Sequence, residues 1–391
     1  MSLNRCSWLI GLGILALALV VPPLGCKQKE PPARPPAPAF RPPGEPEAEP
    51  AAEPAAEAEQ EPAAEAEAEP AAEPAAEAEA PVGLVPEVPL GLPPVPVPED
   101  NPITPEKVAL GKKLYFDVRL SKDGTVSCAT CHDPNTAWTE HEPTSTGISG
   151  QVGGANSPTV INAAYGTSQF WDGRAASLEE QALGPIENPI EMGHKLDAMI
   201  GDLSQVSEYQ EAFQKVFGTG VTKEGIAKAI ASFERLVLSG NSPYDKFKDG
   251  QQDALTDAQK RGMELFEDVG CATCHAPPVF SNYRFYNAGV GMDKEPPPEG
   301  RKAVTGEDGD LGKFRVPMLR EVANTGPYFH DGSAATLEEA VALMAGGGKD
   351  NPNLSPMLKA LREAEISDED QKDLVEFLKA LSGEFPGKDD L

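Results

Sequence analysis

Apolar residues recur at helical spacing in several stretches of this chain, and a long segment near its start shows no such pattern. Within residues 1–26 an apolar run from Leu9 to Val21 follows a single Arg and precedes small and turn-forming residues. That run is well short of the roughly 20 residues a membrane span needs, so it reads as an export signal. Residues 27–100 are Pro, Ala and Glu with 17 acidic and 4 basic residues. They offer too little to bury, and the expectation is a disordered linker. Periodicity begins after residue 100. Thr104 and Pro105 give a helix cap and first turn ahead of "EKVALGKKLYF". Thr256 with Gln259 forms a capping box before "RGMELF". Thr222 to Leu238 places Ile226, Ile230 and Phe233 on one helix face and ends near Gly240, and Ser367 to Leu381 does the same with Leu374, Leu378 and Leu381. No segment alternates over strand lengths, so the fold expected is mostly α with long loops.

Charge narrows the partners. The formal net charge is −29, and beyond residue 100 the chain still holds 45 acidic against 28 basic residues. Nucleic acid is excluded, because phosphate binding needs a basic surface. Electrostatic partners are expected to be basic or to meet a local basic patch.

Six cysteines in an exported chain would suggest disulfides, but their placement says otherwise. Cys6 and Cys26 lie in the leader, where Cys26 is a candidate lipidation site and so a candidate membrane tether. Pro23 and Leu24 are unusual before such a cysteine, which keeps simple cleavage or a retained anchor open. The other four give Cys128-Ala129-Thr130-Cys131-His132 and Cys271-Ala272-Thr273-Cys274-His275, the same pentapeptide twice. C-x-x-C-H is the attachment signature of c-type haem: two thioethers hold the ring and the adjoining His lies beneath the iron. The flanks repeat too, since Gly111 and Leu114 match Gly262 and Leu265, each pair leading to a Phe, Phe116 and Phe266. The expectation is two tandem cytochrome c-like domains with long haem-wrapping loops, at 101–250 and 251–391.

Several further stretches carry a resemblance: "GANSPTVINAAY" at 154–165, "QFWDGRAASLEEQALGPIENPIEMGH" at 169–194, "NSPYDKF" at 241–247, "FRVPMLREVANTGPYFHDGS" at 314–333 and "TLEEAVALM" at 336–344. With the two "CATCH" segments they resemble the bacterial di-haem cytochrome c peroxidases and the related di-haem enzyme that matures a tryptophan-derived quinone. The resemblance implies reduction of hydrogen peroxide by two haems with different roles. Cys128, Cys131 and His132 then hold the peroxide-reacting haem, and Cys271, Cys274 and His275 the electron-entry haem. Met344 matches the second axial ligand of the latter, and Met/His ligation raises a haem potential. It also follows Leu337, Ala340 and Val341 at helical spacing, so core filling stays open, and Met318 and Met292 are weaker candidates.

Trp171 matches the tryptophan between the haems. Asn156, Thr325 and Pro327 match an inter-haem calcium site, whose hard ion suits amide and carbonyl oxygens. Gln181 and Glu191 match the polar pair on the peroxide side of the first haem, where a carboxylate can shuttle a proton between the two peroxide oxygens. The resemblance also implies a periplasmic location, a homodimer, and a small cytochrome or copper protein as electron donor.

One position departs from the family. Where many members carry a second histidine on the peroxide-reacting iron, this chain has Ile148, which cannot ligate. His141 is the nearest alternative and reads as an exposed loop histidine; His194 and His330 read as loop or structural residues. The expectation is a first haem left open, with no need for reductive activation. Two rivals stand beside the peroxidase reading: oxidation of a protein or small molecule by the same haems, with Tyr328 and other tyrosines in view, and a di-haem electron carrier without chemistry of its own.

Overall fold

The computed structural model describes residues 84, 86–387, 389 and 391; the leader, Cys26 and the linker up to residue 83 lie outside the described residues. The first half carries α1 (Pro105–Tyr115), α2 (Cys128–Cys131), α3 (Leu178–Glu187), α4 (Leu196–Leu203), α5 (Ser207–Phe217) and α6 (Lys223–Glu234). After α7 (Pro243–Lys248), the second half carries α8 (Asp257–Asp268), α9 (Lys302–Thr305), α10 (Leu337–Ala345), α11 (Pro356–Glu363) and α12 (Asp368–Lys379). The sheet among the described residues is one antiparallel pair, β1 (Phe285–Tyr286) and β2 (Phe314–Arg315), with Phe285 opposite Arg315. The fold is mostly helical with long loops, as the periodicity implies. Among the described residues no helix is long and apolar enough to cross a membrane.

The caps form where the sequence puts them. The Thr104 hydroxyl accepts from the Lys107 amide at 3.3 Å. Thr256 and Gln259 exchange hydrogen bonds of 3.0 and 3.2 Å, and Ser367 with Asp370 bonds of 3.1 and 3.2 Å. Each satisfies amides that the first helical turn would leave bare. The predicted helix to Leu238 stops earlier, at Glu234; Arg235 and Leu236 form a turn, and Val237 and Leu238 follow as buried irregular chain.

The internal repeat is three-dimensional. A Cβ on Gly111 would lie 1.9 Å from the Ala229 carbonyl oxygen of α6, and one on Gly262 would lie 1.9 Å from the Asp373 carbonyl oxygen of α12. The opening and closing helices of each half therefore cross backbone to backbone, and only glycine fits. Aromatic rings pack beside both crossings: Tyr115 against Phe233 at 5.2 Å between centroids, and Phe266 against Phe377 at 5.2 Å.

The expected linker boundary at residue 100 needs correction. Residues 86–100 are extended chain fastened to the folded part. Leu90 and Asn241 exchange bonds of 3.0 and 2.9 Å, Arg320 donates to the Gly91 carbonyl at 2.9 Å, and Tyr165 to the Pro93 carbonyl at 2.8 Å. Apart from the turn bonds of Leu92 to the Pro89 carbonyl and Asn101 to the Pro98 carbonyl, such a proline-rich chain makes few internal hydrogen bonds, so its other carbonyls are free to accept from such donors. Arg320 also pairs with Asp245 of α7 through two bonds of 2.8 Å, both side chains 1% exposed.

A methyl group at either crossing forces the helices apart. Gly262→Ala is expected to destabilise the haem-loaded protein by about 1–3 kcal/mol, as overpacking does. Thermal melting followed by circular dichroism checks this, and an unchanged melting temperature would contradict the crossing.

Candidate functional site

In the first half, Ser127 opens α2, its amide bound to the Thr130 hydroxyl at 2.9 Å. The turn closes with the His132 amide on the Cys128 carbonyl at 3.0 Å, and the Tyr115 hydroxyl holds the His132 carbonyl at 3.1 Å. In the second half Gly270, at φ 91°, leads into a tighter turn over Cys271 to Thr273, and the His275 amide again bonds the first cysteine's carbonyl at 3.0 Å. His275 Nδ1 lies 3.1 Å from the Phe280 carbonyl oxygen, so Nδ1 carries the proton and Nε2 keeps its lone pair for a metal. Burial pushes both imidazoles down to about 4, which keeps them in the neutral form that ligates iron.

The four cysteines of these segments are free and half-buried. Burial pushes the Cys128 and Cys131 thiols up to about 12 and Cys271 to about 11, which is unlike a reactive thiolate. Among the described residues no cluster of three or more His, Cys, Asp or Glu is placed to hold a metal ion such as zinc, which takes four such ligands. A c-type haem fits instead. Arg315 adds to the fit: it is half-buried, its side chain donates to the Phe170 carbonyl at 3.2 Å, and no protein carboxylate pairs with it among the described residues. A haem propionate is the kind of anion such a guanidinium lacks.

Two loops interlock around Ile148 and Glu191. The Ile148 amide donates to the Glu191 carbonyl at 2.8 Å. A Cβ on Gly147 would lie 2.1 Å from the Ile190 carbonyl oxygen, and one on Gly193 would lie 2.5 Å from Ile148 Cδ1. Ile148 is buried in the apolar cluster that includes Trp138 and Met192. Glu191 is half-buried, and Asn188 Nδ2 donates to its Oε1 at 2.7 Å. Burial raises its pKa, with the Arg174 charge and the Asn188 bond pulling the other way. Arg174 is itself fixed by two bonds of 3.0 Å to Asp172 and by the Phe170 ring 3.5 Å beneath it. Gln181 is half-buried on α3.

The remaining histidines have other partners. His141 is exposed with Nε2 3.0 Å from the Asn324 carbonyl oxygen, and His194 Nε2 lies 3.4 Å from Asp202. His330 is buried and stacks on Phe314 at 3.6 Å. Trp171 Nε1 donates to the Asn156 carbonyl at 2.8 Å while its own carbonyl accepts from the Arg315 amide at 2.8 Å, which ties it to both halves. Asn156 is buried, its amide on the His330 carbonyl at 2.9 Å. The Thr325 hydroxyl bonds the Val322 carbonyl at 3.4 Å, and Pro327 lines a cleft of about 860 Å³ together with His141, Tyr328 and Glu338.

Met344 is half-buried on α10 and stands outside the apolar cluster that takes Leu337 and Val341. Met318 packs beside Tyr165 and Leu238, and the Met292 sulfur fills the space over Gly312. Sequence reasoning missed Arg174, Arg315 and Glu234. For Glu234 a signal exists: it follows Ile230 by four on the apolar face of α6.

Comparison with known proteins gives a consistent result. A family model described as di-haem cytochrome c peroxidase matches residues 105–253, and one described as cytochrome c matches 259–382. The cytochrome c peroxidase Ccp of Escherichia coli is 41% identical over 75% of this chain, which spans 62% of that protein's length. The cytochrome c551 peroxidase of Nitrosomonas europaea is 39% identical over 74% of this chain and 85% of its own. The methylamine utilization protein MauG of Methylorubrum extorquens is 38% identical over 74% and 82%. With both halves matched, each around its own C-x-x-C-H segment, the chain belongs to the di-haem cytochrome c peroxidase family.

Proposed function

We propose that this protein is a periplasmic peroxidase that reduces hydrogen peroxide to water at the haem attached at Cys128 and Cys131. Electrons enter one at a time at the haem attached at Cys271 and Cys274, from a small cytochrome or copper protein. The observation that carries this reading is the interlock of Ile148 with Glu191, which pairs a side chain unable to ligate with a positioned carboxylate. The names of the relatives support peroxide as the substrate.

The haem pair supplies the redox chemistry, and the chain's residues supply geometry and protons. Peroxide takes up two electrons and two protons to give two waters. Glu191 accepts the proton of one peroxide oxygen and returns it to the oxygen that leaves, a step for which a base near 2.6–3.2 Å contributes about 10²–10⁴-fold. Asn188 holds that carboxylate in place, and Gln181 orients the departing oxygen. Trp171 bridges the halves and would stand along the electron path, and Met344 with His275 would hold the second iron and raise its potential enough to accept electrons. Asn156, Thr325 and Pro327 offer oxygens for a calcium ion between the halves. A homodimer and a lipid tether at Cys26 complete the reading. Oxidation of a protein or small molecule is the second reading, supported by the likeness to MauG; a simple carrier would show no peroxide turnover with reduced cytochrome.

Glu191→Gln is expected to keep both haems and lose peroxide turnover by about 10²–10⁴-fold. The wild-type kcat/KM should fall as pH drops through a pKa above the ordinary carboxylate value of about 4.3, since Glu191 must be ionised to accept a proton and burial raises its pKa. That acid limb should vanish in the variant; near-full activity there removes Glu191 from the mechanism. In the fully oxidised protein, electron paramagnetic resonance should show the first haem high-spin or water-bound, and a purely low-spin signal with two histidines would overturn the open site.

A further inference from the structure

Glu234 is a carboxyl group that neither the fold nor the peroxide chemistry uses. It lies on α6 and is 5% exposed. Its Oε2 is sealed from solvent without a hydrogen-bond partner, and no cation pairs with it among the described residues. The adjacent Arg235 is already held by Glu179 of α3, through bonds of 2.8 and 3.1 Å, and Glu179 also accepts from Asn101 at 2.7 Å. The other titratable groups around it are Tyr115 on α1 and Cys128 on α2, both of which feel its charge. Glu234 therefore stands in the dry core beside Cys128.

A lone buried carboxylate is costly, so such a group stays neutral until a nearby positive charge favours ionisation. Burial has pushed Glu234 up to about 8, with Glu179 adding to the rise and Arg235 opposing it. The charge of a haem beside Cys128 changes by one unit with each electron.

We propose that Glu234 is the proton-binding partner of the first haem's redox change. When one electron reaches that haem, one proton moves from solvent to the Glu234 carboxylate; when the electron leaves, the proton is released, so the sealed core sees no net change of charge. This rests on the reading that a haem is attached at Cys128, and it adds a residue that tunes that haem's potential from a position away from peroxide.

The test is a spectroelectrochemical titration of the first haem in the full, haem-loaded protein from about pH 6 to 9, with peroxide turnover of the same sample measured in parallel. The wild-type midpoint potential should fall as pH rises, because reduction takes up a proton. The slope should approach about 59 mV per pH unit, the tenfold change in proton activity for one electron. Glu234→Gln should flatten the slope, and Glu234→Asp, which keeps an acid, should move the pH window. A flat wild-type potential, a slope unchanged in the Gln variant, or a pH window unmoved in the Asp variant overturns the inference while parallel peroxide turnover leaves the peroxidase reading intact. A mass showing no haem at Cys128 and Cys131 overturns both.

Discussion

Where the opening and closing helices of each half cross, a peptide carbonyl occupies the space a Cβ would need, and the positions of both attachment turns depend on that contact. Gly111 admits the Ala229 carbonyl of α6 and Gly262 admits the Asp373 carbonyl of α12. Each opening helix leads onward to a C-x-x-C-H turn, so the depth of the crossing sets how close that turn stands to the closing helix. The rings on the closing helices then form the wall behind the turn. Phe233 packs on Tyr115 and Trp138 at 5.2 and 5.9 Å, and Phe377 on Phe266 and Tyr244 at 5.2 and 5.9 Å. A larger residue at either glycine would move that wall and, through Tyr115, the carbonyl of His132.

Much of this was legible because it is local. Capping boxes at Thr256 and Ser367 need only a residue and its third neighbour, and the duplicated pentapeptide states its own chemistry. The glycine and leucine spacing around Gly111 and Gly262 was visible as a repeat, although its cause, a close approach of backbones, was not. What could not be read is what depends on distant partners. Residues 86–100 share the linker's proline but carry Val and Leu where it carries Ala, and Arg320, Tyr165 and Asn241 take up their backbone groups. Carbonyl acceptance leaves no trace in a hydrophobic pattern. Arg174 and Arg315 were hidden for the same reason, since a charge is informative only once its surroundings are known.

The junction of the halves shows how little slack the arrangement has. Asp245 and Arg320 are each 1% exposed, and Arg320 reaches the Pro278 and Gly91 carbonyls as well. Sliding one half past the other would strand one of these charges in a dry place, at a cost of about 3–5 kcal/mol. Trp171 crosses the same junction, bound to Asn156 on one side and to Arg315 on the other. Trp171 therefore lies in a part of the molecule whose geometry is fixed by charge pairing and backbone hydrogen bonds together.

The distribution of charge completes the argument. Beyond residue 100 the chain has far more acidic than basic residues, yet Arg174, Arg301 and Arg315 gather around the Trp171 segment. Arg301 donates to the Asp172 and Gly173 carbonyls at 3.0 and 2.8 Å and lies over Phe285 at 4.5 Å, while Arg174 lies over Phe170 at 3.5 Å. Asp172 pairs with Arg174, whereas aromatic faces and carbonyls hold Arg301 and Arg315 in position without neutralising them. Two cations kept without a carboxylate partner among the described residues suit anions that the chain does not itself encode, and haem brings carboxylates of that kind on its propionate edge.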